Sequence, residues 1–341
     1  MKKYIGQAIQ WIAAGILAVV LCNALLLIYH RPAGWIERTN SSTSAIWRPG
    51  STLLMGTEGR GTYTVDKDGY LNADLPKQDN YCLVLGASYT QGKEVKFGER
   101  YTDLLNDMLA ESPDKLAVYN CSQDAKFLPG IINDFYAITK EFPEAETIII
   151  ETGNTDFSSK ELLAACNQHG FDENQRGSVL MANMSSVQKA KLFIKECLPF
   201  YTILKSQLTA MAAQNAEAEG KTSGSVQTAD TEQEQSLLTA LALIRSQFDG
   251  ELIIMYHPMV SLAETGELVI TEQDTTEMFA AACASNNILF VDMSEAFLEA
   301  YEENYSVPYG FSNTTMATGH LSVDGHRVIA EKLYEVLKEE E

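Results

Sequence analysis

Residues 80–341 of this 341-residue chain are expected to fold as α/β, a three-layer α/β/α sandwich with a mostly parallel five-stranded sheet, preceded by one N-terminal transmembrane helix. Three observations predict this. Five short, continuous apolar runs recur along the chain. Segments with one apolar helical face lie between them, and an apolar stretch of about nineteen residues stands near the N terminus.

The N-terminal stretch comes first. From Trp11 to Tyr29 only Asn23 interrupts the apolar run. A helix needs roughly 20 apolar residues, at about 1.5 Å each, to cross the hydrocarbon core, so residues 1–31 read as a cytoplasmic leader and transmembrane anchor. A cleaved signal peptide has an apolar stretch of roughly 7–15 residues ending in small residues. Here the run is longer and leads into His30, Arg31 and Pro32, and Val20-Leu21 ahead of Cys22 lacks the small residue of a lipoprotein signal. Lys2 and Lys3 precede the helix while Arg31, Arg38 and Arg48 follow it, so the positive-inside balance is close. The basic leader favours a single pass through the cell membrane, with the C-terminal domain extracytoplasmic.

Residues 32–79 are rich in Gly, Ser and Thr and form the juxtamembrane segment; alternation around Asp68-Gly69, within Thr62 to Asn72, predicts a hairpin or turn. The five apolar runs follow: Tyr81 to Gly86, Leu116 to Asn120, Thr147 to Glu151, Glu251 to Tyr256 and Ile288 to Asp292. Each is continuous rather than alternating, as suits strands buried on both faces. Tyr101, Leu104, Leu105, Met108 and Leu109 share one helical face, as do Ile329, Leu333 and Val336 near the end. Strands alternating with helices give a parallel sheet between helical layers. A helical stretch near 187–211 is followed by a polar, low-complexity stretch near 212–235, which is read as a flexible surface insertion in the 80–341 domain.

Composition narrows the function classes. With 46 acidic against 25 basic residues the net charge is −21, and no basic stripe offers a seat for a nucleic acid. The six cysteines form no C-x-x-C pair, and the five histidines form no H-E-x-x-H, so neither a metal nor another cofactor is implied.

In open α/β sheets ligands bind beyond the carboxyl ends of the strands. After the first run comes Gly86-Ala87-Ser88-Tyr89-Thr90-Gln91-Gly92-Lys93. A phosphate-binding P-loop needs four residues between its glycines, then Lys-Ser/Thr; here there are five, and Glu94 follows Lys93. A G-x-S-x-G elbow fails at Thr90. What remains is a serine on a looser turn, either a nucleophile or simply a turn or capping residue. At the chain end, His320 precedes Ser322, a candidate N-cap for the last helix. An imidazole is suited to activate a hydroxyl near neutral pH. His257-Pro258, at the end of the fourth run, reads either as pocket lining or as the start of a loop.

Together these segments resemble the SGNH, or GDSL-type, esterase superfamily in a membrane-anchored form, over roughly residues 60–341. Gly86-Ala87-Ser88 through Gly92 corresponds to its first block. His320, followed five residues on by Gly325, corresponds to its last, which makes His320 and not His326 the catalytic histidine. The resemblance implies catalytic Ser88 and His320, and an oxyanion hole built from the N–H groups of Ser88 and Ala125 and the side chain of Asn154. The family's aspartate, three residues before the histidine, falls on Ala317. That leaves three alternatives: a Ser-His dyad with the ring oriented by a backbone carbonyl, another carboxylate, Asp156 or Asp324, in place of the acid, or a dead enzyme. The implied function is an envelope serine esterase acting on short acyl esters of glycans, or transferring the acyl group to a sugar hydroxyl. The alternative is an inactive protein of this fold that binds a glycan or a membrane partner.

Overall fold

The computed structural model describes residues 2–31, 35–37, 45–72, 81–110, 116–168, 231–271 and 273–339, with isolated positions between 185 and 204. The chain opens with α1 (Lys2–Leu26), of which Tyr4–Leu26 is long and apolar enough to cross a membrane. Its apolar side chains face outward on all sides, from Ile5 and Trp11 to Leu21 and Leu25. Two small antiparallel pairs follow, β1 (Trp35–Glu37) with β2 (Ala45–Trp47), and β3 (Thr52–Met55) with β4 (Gly61–Thr64).

α1 does not end in a free linker. Just past α1, Arg31 pairs with Leu54 in both directions, N–H to C=O at 2.9 and 2.8 Å, an isolated antiparallel bridge beside β3. Gly56 continues this contact. A Cβ there would stand 2.2 Å from the Tyr29 carbonyl oxygen, an approach only glycine permits.

The Asp68-Gly69 step is a turn, not the hairpin. Asp66 Oδ1 accepts the N–H groups of Asp68 and Tyr70, each at 2.9 Å, the standard local bonding of an Asp turn. The hairpin lies earlier, between β3 and β4, and its tip at residues 56–60 carries Glu58.

The main sheet comprises β5 (Tyr81–Leu85), β6 (Ala117–Asn120), β7 (Ala145–Thr152), β8 (Glu251–Tyr256) and β11 (Leu289–Asp292). These are all parallel, in the spatial order β11-β8-β7-β5-β6. The five apolar runs are these five strands. A short antiparallel pair, β9 (Val260–Leu262) and β10 (Leu268–Ile270), precedes β11. The helices of the domain are α2 (Ser88–Gln91), α3 (Tyr101–Ala110), α4 (Leu128–Glu141), α5 (Ser159–Ala165), α6 (Thr231–Arg245), α7 (Thr276–Ser285), α8 (Ser294–Asn304) and α9 (Val323–Glu339).

Strand alternation divides the core into two layers. Leu83, Leu85, Ile148, Ile150, Leu252 and Ile254 pack on α4, α5, α6 and α7. Cys82, Val84, Ile149, Ile253 and Met255 pack on α3, α8 and α9. Both faces are covered, which is why the strands read as unbroken apolar runs. Of the polar stretch near 212–235, residues 212–230 lie outside the described residues, and Thr231–Gln235 open α6 instead of belonging to a loop. Most of 187–211 also lies outside them.

Candidate active site

Ser88 is the first residue of α2, at the carboxyl end of β5, between β7 and the edge strand β6. Its turn is held from beneath by a carboxylate. Glu151, near the end of neighbouring β7 and fully buried, accepts the Ala87 N–H at 2.9 Å and the Thr90 hydroxyl at 3.0 Å. On its other oxygen it accepts from His257 Nε2 at 2.9 Å. Burial pushes the Glu151 carboxyl up, but the hydrogen bond and charge of His257, with the Ala87 and Thr90 donors, outweigh it and hold it below the usual range. His257 Nδ1 meets the Tyr309 hydroxyl at 2.8 Å, and that hydroxyl donates to the Pro258 carbonyl at 2.7 Å. His257 is therefore wholly buried beneath the nucleophile turn and lines no open pocket.

His320 lies in the loop before α9. Ser322 caps that helix, accepting the Gly325 N–H at 3.0 Å, as its position in the sequence suggests. The structure brings Ser88 and His320 together across 232 residues: Oγ to Nε2 is 3.0 Å. His326, one turn into α9, is sealed in the interior. Its Nδ1 accepts the Tyr101 N–H at 3.2 Å at the start of α3, and burial, then the charge of Arg100, pushes its pKa down to about 3.

Neither of the two carboxylates expected to orient the ring contacts it. Asp156 accepts from Gln233 Nε2 at 2.9 Å, and Asp324 is an exposed partner of Arg327. The group on His320 is Glu58, from the β3–β4 hairpin tip. Its Oε2 is 2.7 Å from Nδ1, and its Oε1 accepts the His320 backbone N–H, also at 2.7 Å. An ionised carboxylate only accepts, so the ring proton sits on Nδ1 and Nε2 is left to accept the Ser88 O–H. Gly319 makes the approach feasible: its φ is +79°, and a Cβ there would stand 2.1 Å from Glu58 Oε1. Ala317, where the family aspartate was expected, is buried in the apolar layer under α9.

The two partners shift each other. Burial pushes the His320 pKa down, but the Glu58 hydrogen bond and the charges of Glu94 and Glu58 raise it above its ordinary value. Burial pushes Glu58 up, and its bonds to His320 bring it below the ordinary range. Behind them lies Glu94, buried, with Oε1 3.9 Å from His320 Nδ1 and Oε2 without a hydrogen-bond partner among the described residues. Burial, opposed by His320, holds its carboxyl high. The hairpin is fixed to the nucleophile loop through Tyr63, whose hydroxyl reaches the carbonyls of Gly92 and Val95 at 2.9 and 2.6 Å.

Two expected oxyanion donors are backbone groups. The Ser88 and Ala125 N–H groups have no acceptor among the described residues. Ala125 sits at φ +58°, the left-handed conformation that a glycine would otherwise supply. Its loop is pinned at Asp124, which pairs with Lys93 and accepts from the Gln91 amide at 2.9 Å; the Gln91 oxygen in turn accepts from Trp47 Nε1 at 3.1 Å. Asn154 closes its own turn: Nδ2 donates to the Asp156 carbonyl at 2.8 Å and Oδ1 accepts the Asp156 N–H at 3.1 Å. One amide hydrogen is thereby committed, and no hydrogen bond links the side chain to Ser88. Among the described residues no group of three or more His, Cys, Asp or Glu side chains gathers as a metal site.

The chain is similar to lipolytic enzymes of the G-D-S-L type. Among solved structures, a lipase/acylhydrolase from Enterococcus faecalis aligns at 12% identity over 76% of this chain and 96% of its own, with a TM-score of 0.39. A catalytic mutant of Axe2, an acetylxylan esterase from Geobacillus stearothermophilus, aligns at 15% identity over 77% and 95%, TM-score 0.38. A lipolytic protein of the G-D-S-L family from Veillonella parvula aligns at 13% over 76% and 98%, TM-score 0.37. No known family profile matches the sequence, and no curated protein does. Identities this low leave the chemistry to be read from the site itself.

Proposed function

We propose that this chain is a membrane-anchored serine esterase of the cell envelope, with Ser88 as nucleophile, His320 as general base and Glu58 as the orienting acid. The observation that carries the reading is the relay from Glu58 through His320 to Ser88, with steps of 2.7 and 3.0 Å. A serine hydroxyl is a weak nucleophile until a base takes its proton as it attacks. His320 Nε2 is placed to take it, and Glu58 stabilises the imidazolium that forms. The ester carbonyl oxygen, becoming an anion, is received by the N–H groups of Ser88 and Ala125 and by the second amide hydrogen of Asn154. The imidazolium then protonates the leaving alcohol. Water, or a sugar hydroxyl in the transferase variant, attacks the acyl-serine with His320 again as base.

The substrates that fit an exported, anchored site are short acyl esters on envelope glycans. The inactive reading drew its support from Ala317, and Glu58 supplies the carboxylate that Ala317 lacks. Labelling the purified full-length protein with a fluorophosphonate tests the proposal. Labelling that disappears in Ser88→Ala is the expected result; an unlabelled, folded wild type would overturn it.

A further inference from the structure

Asn23 is the one polar side chain in the apolar run of α1, and it is buried (6% exposed) while Leu21 and Leu25 beside it are more than half exposed. Both ends of its amide are satisfied inside the protein. Nδ2 donates to the Val19 carbonyl one turn back at 2.9 Å, and Oδ1 accepts the Phe200 N–H at 3.0 Å, from a position 177 residues away in sequence. Such pairing is what an amide at membrane depth demands, because hydrocarbon offers it no partner.

The bond also fixes a level. Asn23 lies three residues before the end of α1 at Leu26, about 4.5 Å along the helix axis. It therefore lies at the edge of the apolar layer on the side of the folded domain, and Phe200 lies there with it. Next to Phe200, Tyr201 is 51% and Leu204 45% exposed. Both have helical backbone, three residues apart and hence on one face. A tyrosine at this depth suits the interfacial belt, where the ring is apolar and its tip is wet. The charge of −21 gives the chain no general attraction to anionic lipid, so a contact here has to be apolar.

We propose that the segment around Phe200 is a second membrane contact, with Tyr201 and Leu204 entering the lipid interface of the leaflet on the domain's side. This rests on α1 being a membrane span. Together with the Arg31–Leu54 pairing it gives the domain two attachments to the anchor and so a fixed orientation. The hairpin tip is held near the same surface, since Glu58 is two residues, at most about 7 Å of chain, from Gly56 against Tyr29.

The test is fluorescence quenching of the full chain in phosphatidylcholine/phosphatidylglycerol vesicles, with and without phosphatidylcholine brominated on its acyl chains. Trp11, in α1, reports the span: wild type should lose more emission to the brominated lipid than Trp11→Phe does. In the Trp11→Phe background, Tyr201→Trp should restore quenching and shift the added emission to the blue. Wild type quenched but Trp11→Phe/Tyr201→Trp no more quenched than Trp11→Phe overturns the second contact alone, and would mean that the face is wet or covered by protein. Equal quenching of wild type and Trp11→Phe overturns the span and the contact with it.

Discussion

In the proposed mechanism Glu58 orients His320, and its contribution is separable from that of the serine. Replacing it with Gln preserves the shape while removing the charge that raises the His320 pKa. Loss of the group that orients the imidazole and stabilises its protonated form lowers kcat by about 10⁴ in triad enzymes, and Glu58→Gln is expected to lower it by a similar order. The pH profile adds a sign. His320 works as a base only when neutral, and its pKa is raised by Glu58 and Glu94, so the acid limb of kcat/KM should lie above the ordinary imidazole value. In Glu58→Gln burial counts for more and the limb should move to lower pH; an unmoved limb means that Glu58 is not the ring's partner. Asn154→Ala should cost about 10²-fold or more in kcat with KM little changed, as loss of one oxyanion donor does; unchanged kcat removes Asn154 from the hole. Ser88 and His320 were legible because each sits in a local pattern, a serine after an apolar run and a histidine ahead of a capped helix. Glu58 had no such pattern. It meets His320 across 262 residues, from a turn whose neighbours say only that the chain reverses.

At the scale of elements, the strands of the sheet were legible and the hairpin that supplies the acid was not. Strands such as β7 and β8 are buried on both faces, and a run like Ile148-Ile149-Ile150 leaves little else for the chain to do. β3 and β4 are four residues each; β3 is mostly half-buried and has no apolar length to mark it, and the alternation of β4 merges with the stretch around Asp68-Gly69. Asp68-Gly69 is the stronger turn signal in the sequence, yet it closes only a local turn. Nor did the sequence reveal that the residue following α1 pairs with β3, because a two-way bond between Arg31 and Leu54 depends on backbone alone. Gly319 tests whether this packing of hairpin against the His320 loop matters. A Cβ at 319 meets the Glu58 carboxylate, the free end of a flexible side chain, so Gly319→Ala should push Glu58 away without unfolding the protein. The φ of +79° adds strain of about 1–2 kcal/mol. The expected result is a kcat loss and an acid-limb shift in the same direction as Glu58→Gln, and a double variant no worse than the more damaging single one. Additive losses would show that the two residues act independently.

For the molecule as a whole, the buried histidines set how stability depends on pH. His326 is held neutral, with a pKa pushed down to about 3, because its Nδ1 must accept the Tyr101 N–H inside an apolar layer beside the Arg100 cation. The unfolded chain takes up that proton near pH 6.5 and the folded one does not until about pH 3. The folded state thus keeps the full contribution above 6.5 and loses it progressively as pH falls toward 3, at about 1.4 kcal/mol per pH unit in between. His320 runs the other way: its folded pKa is raised, so its contribution is present below 6.5 and is lost as pH rises through the folded value. Glu94, held high, also opposes the acid loss, since it binds its proton more readily folded than unfolded. A plain acid-denaturation curve therefore mixes opposing signs, and a difference measurement is needed. His326→Asn keeps an acceptor near the Nδ1 position and cannot titrate. Urea unfolding of the wild type and this variant between pH 6 and 4, followed by near-ultraviolet circular dichroism in detergent, should give curves that converge as pH falls, with the wild type losing about 1.4 kcal/mol more per unit. Parallel curves would mean that His326 is protonated in the native protein, and that the cap on α3 is not the neutral ring described above.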